Sequence, residues 1–107
     1  MKTIEFRFPR RRHLTRAAAL IESVCSRRGL SVAMKGSLAG YPGCIHWHYK
    51  QPNQRGTLEL TFYPAEKRLW ASVQEGRKAP WIDVELPQLR RAIERELCAA
   101  PPGRARR

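Results

Sequence analysis

Residues 44–74 read CIHWHYKQPNQRGTLELTFYPAEKRLWASVQ, and three strands with two tight turns can be picked out of them directly. Ile45, Trp47 and Tyr49 alternate with Cys44, His46, His48 and Lys50. Leu58, Leu60 and Phe62 alternate with Thr57, Glu59, Thr61 and Tyr63, and Leu69, Ala71 and Val73 with Arg68, Trp70, Ser72 and Gln74. A period of two marks strands with one buried face, because successive Cβ atoms point to opposite sides of a sheet. The connections, Pro52 to Gly56 and Pro64 to Lys67, are short and rich in turn formers, so the three strands run antiparallel.

Upstream, Leu30 to Lys35 reads as a further strand with Val32 and Met34 inward, joined to residue 44 by a Gly-rich loop containing Tyr41-Pro42-Gly43. Before it, Leu14, Ala17, Ala18, Ile21, Val24 and Cys25 recur at helical spacing, and Gly29 stands where a helix C-cap belongs. Thr3 to Phe8 alternates again, with Ile4, Phe6 and Phe8 apolar, and Pro9 ends the run. Downstream, Gly76 to Pro80 breaks the pattern, and Trp81, Ile82 and Val84 fit either a short edge strand or a packed loop. Pro87 then suits a first helical position, and Leu89, Ala92, Ile93, Leu97 and Ala100 form one apolar stripe behind it.

The expected fold is α+β: a two-layer sandwich with an antiparallel sheet of about five strands, two helices on one face and the order β-α-β-β-β-β-α. In element order alone this outline resembles one repeat of the TATA-binding protein and, more loosely, the double-stranded-RNA-binding domain. No residue motif of either family accompanies the likeness, and shared architecture does not transfer function. At 107 residues there is material for one core. The expected organisation is therefore a single basic domain over residues 1–100 and a flexible Arg-rich tail over 101–107.

Lys and Arg number 21 against nine Asp and Glu, a net charge of +12. Residues 101–107 hold three of those cations and none of the anions, so +9 stays with the domain. Such an excess raises the local concentration of phosphate-bearing polymers and speeds encounter with them. Arg abundance of purely compositional origin would leave the same count. Three cysteines without short spacing, Cys25, Cys44 and Cys98, point to reduced thiols, with Cys25 and Cys98 read as small core residues. The amino-terminal residues lack the apolar run of a leader and no stretch suits a membrane span, so a cytoplasmic location without membrane contact is expected.

If the apolar strand residues face the helices, the other sheet face gathers His46, His48, Lys50, Glu59, Thr61, Tyr63, Arg68, Trp70 and Gln74. As a nucleic-acid platform, Trp70 and Tyr63 would stack on bases while Lys50, Arg68 and the two histidines meet phosphate. As an ordinary solvated face, it would carry cross-strand pairs such as Lys50 with Glu59. Arg77 and Lys78 form a further basic pair, Arg90 and Arg91 another with Arg95 close by. Arg10, Arg11 and Arg12 stand at the entry to the first helix, where backbone N–H groups attract phosphate. Cys44, His46 and His48 are also metal-binding types on one strand face, with Glu59 or His13 needed to complete a set; alternating histidines are more often plain surface residues, and no metal or other cofactor is assigned. No nucleophile elbow, zinc-protease or phosphate-loop motif is present, so no catalytic residue is assigned and a non-enzymatic role is expected. The expected function is that of a nucleic-acid-binding or nucleic-acid-associated accessory domain. The alternative is a protein-interaction module that binds an acidic partner or self-associates as a homodimer through Trp70, Trp81 and an exposed strand edge.

Overall fold

The computed structural model describes residues 1–9 and 16–99. Arg10, Arg11, Arg12, His13 and Leu14 lie outside the described residues, as do Ala100 and the tail over 101–107. Five strands and two helices follow in the expected order: β1 Lys2–Glu5, α1 Ala17–Arg27, β2 Ser31–Gly36, β3 Ile45–Lys50, β4 Leu58–Tyr63, β5 Arg68–Val73 and α2 Pro80–Ala99. The sheet is antiparallel throughout, in the spatial order β1-β5-β4-β3-β2. The last four strands form a meander, and β1 closes its far edge against β5. Tyr49 pairs with Leu58, Trp47 with Leu60, Ile45 with Phe62, Leu60 with Ala71 and Phe62 with Leu69, so the apolar sets share one face.

Both helices cover that face. Ala17, Ile21, Val24 and Cys25 from α1 and Trp81, Ile82, Leu86, Leu89, Ile93 and Leu97 from α2 meet the strand residues in one continuous core. α1 ends as expected: Gly29 has φ +82°, where only glycine is free of Cβ conflict, and its N–H bonds the Ser26 carbonyl. Glu22 on the outer side of α1 ties the layers together, accepting hydrogen bonds from Trp47 Nε1 at 2.8 Å and Lys35 Nζ at 2.7 Å. The Lys35 ammonium is the main reason its carboxyl titrates below the ordinary glutamate range, with the Trp47 donor reinforcing it against burial. At the other end of α1, Arg28 grips the buried Glu85 of α2 through two nitrogens.

Three expectations are corrected. Residues 81–84 are neither strand nor loop but the first turn of α2, which begins at Pro80 rather than Pro87. The buried positions Trp81, Ile82, Glu85, Leu86 and Leu89 form one stripe that continues past Pro87, which is itself exposed. Its missing backbone donor therefore leaves a carbonyl on the water side of the helix, where solvent can satisfy it. Val32 and Met34 do not face the core: they are 48% and 40% exposed, on a strand with no buried residue. β2 is the outermost strand; Val32, opposite Tyr49 on the helical side, is left uncovered there, and a bulge between Val32 and Met34 sets Met34 opposite His48, on the sheet face turned away from the helices. Cys98 is exposed, while Cys25 is buried as expected. Burial pushes the Cys25 thiol up to about 12.

Candidate nucleic-acid interface

The sheet face turned away from the helices is far drier than alternation alone suggests. Trp70 is only 7% exposed. The loop between β2 and β3 brings Tyr41 to a ring distance of 5.1 Å from Trp70 and 5.3 Å from Tyr63, and the Arg68 guanidinium lies 4.5 Å from the Trp70 ring centre. Arg68 is itself held by Glu5, at 3.0 and 3.1 Å, with Glu66 at 3.8 Å. The stacking surface expected of Trp70 and Tyr63 is thus occupied by the protein's own side chains. It is Tyr41 that lies over Trp70; Trp81, on the helical side, donates its indole N–H to the Arg55 carbonyl at 2.7 Å.

Next to this aromatic group sits a polar cluster. His46 and Glu59 are both buried, and His48 is partly exposed. Register places His48, not Lys50, directly opposite Glu59, and Thr61 opposite His46. Lys50 instead reaches the Gly56 carbonyl at 3.1 Å, so the expected Lys50–Glu59 pair does not form. Arg77 points into the cluster from the turn before α2, 3.4 Å from both Glu59 Oε2 and His48 Nδ1. Burial lowers the pKa of His46, with the neighbouring Glu59 pulling the other way. Lys78 turns outward to Glu75 at 3.5 Å. Among the expected site residues, then, His46, His48, Lys50 and Arg77 come together, Tyr63, Arg68 and Trp70 form a separate self-satisfied group, and Lys78 stands apart. Cys44 is not in the cluster, its sulfur accepting the Leu38 N–H at 3.2 Å.

Arg77 is held over the cluster by its backbone. Its carbonyl accepts the Thr57 N–H at 3.0 Å and its N–H bonds the Gln74 carbonyl at 3.0 Å. Lys50, His48, Gly56, Thr57, Gly76, Arg77 and Ala33 line a shallow groove of about 360 Å³ there.

A second cationic surface lies on α2. Arg91, Glu94, Arg95, Cys98 and Ala99 follow one another at helical spacing and, with Arg7 just beyond β1, line an open depression of about 490 Å³. Glu94 is the one acid there, and it is engaged by the Arg7 backbone N–H at 2.7 Å and Arg90 Nε at 3.0 Å. Burial opposes ionisation of Glu94, but these two donors prevail and hold its carboxyl below the ordinary range. Arg91 and Arg95 make no ion pair among the described residues. Helical spacing sets Arg91 and Arg95 off the apolar stripe of the last helix, and alternation sets Arg7 off the apolar side of the first strand; only the β1–α2 packing joins them.

Eight of the nine acidic residues are already in ion pairs, so the cationic excess has few internal carboxylates left to meet. Among the described residues no helix is long and apolar enough to cross a membrane. Set against family models, curated proteins and solved structures, the chain matches none of them.

Proposed function

We propose that this domain binds nucleic acid as a non-enzymatic accessory module, through phosphate contacts made mainly by the Arg7, Arg91 and Arg95 depression. The observation that carries the proposal is the pairing pattern: acidic groups are consumed internally while Arg91 and Arg95 remain unpaired among the described residues. Guanidinium groups so placed offer forked donors to phosphate oxygens without first giving up a carboxylate. Arg10 follows Arg7 by only three residues and Arg104 follows Ala99 by five, so the chain's two densest Arg runs adjoin this surface in sequence. Aromatic stacking has no part in this binding, because Tyr41 and Arg68 occupy the Trp70 ring.

Binding of a short labelled oligonucleotide, followed by fluorescence anisotropy, tests it. Affinity is expected to fall steeply between about 50 and 200 mM salt, as release of condensed counterions requires. For duplex DNA, Arg91→Gln with Arg95→Gln should flatten the slope of log K against log salt by about 0.9 per lost contact. No binding at low salt, or a slope untouched by the double substitution, would remove this surface from the interface.

A second reading, a protein-interaction module, is favoured by the fully exposed β2 edge.

A further inference from the structure

Three potential metal ligands converge beneath Arg77. His46 and His48 stand two apart on β3, and Glu59 faces His48 from β4. Their ligand atoms all lie within 4.8 Å of one another. The individual separations are 3.2 Å between the two histidine Nε2 atoms, 3.2 Å from His46 Nε2 to Glu59 Oε1 and 3.8 Å from His48 Nε2 to Glu59 Oε2. A tetrahedral zinc ion with bonds of 2.0–2.2 Å needs ligand atoms about 3.3 to 3.6 Å apart, so these separations, two slightly short and one slightly long, need only small side-chain shifts to hold one ion. The orientation is supported too: His46 Nδ1 lies 2.8 Å from the Thr61 hydroxyl, the kind of outer contact that fixes a ligating imidazole. His46 and Glu59 are each 6% exposed, whereas the His48 side chain is 20% exposed and borders the groove with Lys50 and Arg77.

We propose that His46 Nε2, His48 Nε2 and the Glu59 carboxylate form a three-ligand site for a transition-metal dication of the zinc type, with its remaining position open to the groove. Two imidazoles and one carboxylate favour Zn²⁺ and its first-row neighbours over Mg²⁺ and Ca²⁺, which take sets of oxygen ligands. Lys50 and Arg77 at the groove rim suit an anion or water as the further ligand. Cys44, the metal-binding type just ahead of this strand, is not in the cluster and accepts the Leu38 N–H instead, and Glu59 takes its place. Arg77 is the competitor. It has no acceptor atom, so its contact with His48 Nδ1 places the neutral ring's proton on Nε2, the atom that must bind the metal. Loading the ion therefore moves the Arg77 side chain outward, which its 48% exposure permits. None of these residues belongs to the Arg91 depression, so the site stands or falls independently of nucleic-acid binding.

The test uses the untagged full chain, stripped with chelator, titrated with Zn²⁺ by calorimetry and with Co²⁺ by visible absorption. One equivalent per chain is expected, with the ligand-field bands of a four- or five-coordinate Co²⁺ ion and a rise in Tm. Glu59→Gln and His48→Ala should lose these bands while still melting cooperatively. Should His48→Ala fail to fold, the isosteric Glu59→Gln alone decides. Arg77→Gln should bind several-fold more tightly than the parent. Absence of saturable binding, bands retained in Glu59→Gln, or an Arg77→Gln protein that binds no better would each overturn the assignment.

Discussion

At Gly56 a Cβ would lie 2.6 Å from the Ala79 Cβ and 3.0 Å from the Arg77 carbonyl oxygen, on a backbone with φ +98°. The β3–β4 hairpin can approach the start of α2 this closely only without a side chain, and that approach is what presents Arg77 to Glu59. Gly56→Ala should therefore destabilise the fold by about 1 to 3 kcal/mol, the usual cost of a strained backbone position, with the steric conflict added. Urea unfolding measures this, and an unchanged midpoint would mean that the hairpin relaxes freely. Residue-scale features of this kind were only half legible. Alternation gave the faces of His46, His48 and Glu59, but whether Lys50 or His48 stands opposite Glu59 depends on hairpin register, which turn composition alone does not set. Cys98 misled for a related reason: its neighbours Leu97 and Ala100 suggested an apolar stripe, yet it is Leu97 that turns to the core.

Among the elements, the three central strands were readable because one face of each carries the apolar residues that meet the helices and the other is mostly polar, so that period two survives in the sequence although both faces are largely buried. β2 carries the same alternation without the burial. Nothing in the sequence says that Val32 is left uncovered or that a bulge turns Met34 to the other sheet face, because coverage and register are properties of the assembled layers. The resulting edge has six exposed residues with unpaired backbone groups on its outer side, a surface that proteins usually protect with charge. Lys35 is the one charge on β2, and it is drawn to Glu22. If the interaction-module reading holds, sedimentation at increasing concentration will reveal a dimer that Val32→Lys disperses. A monomer at all concentrations would leave the edge without a self-association role. α2 failed the opposite way: Pro87 is a conventional start signal, but Pro80 occupies that position and the stripe from Trp81 to Leu97 runs on past Pro87.

At the scale of the whole molecule, the sequence disclosed the amount of charge and its residence in the domain, but not its arrangement. Ion pairing divides the basic residues into those anchored by acids, such as Arg28, Arg68 and Arg77, and those left over, such as Arg91 and Arg95. The division follows largely from tertiary packing: Glu85 takes Arg28 only because the helices meet, and Glu94, already paired with Arg90 one turn earlier on α2, takes the Arg7 backbone only because β1 ends beside α2. The sheet face, which carried most of the expected contacts, turns out to be an internally satisfied surface with a polar cluster on its inner strands β3 and β4. The most direct test of the central claim is an amide chemical-shift titration with a short oligonucleotide at low salt. The largest changes are expected at Arg7, Arg91, Arg95 and their neighbours, reversing as salt is added. Changes centred on Trp70 and Tyr63, changes confined to β2, or none at all would contradict it.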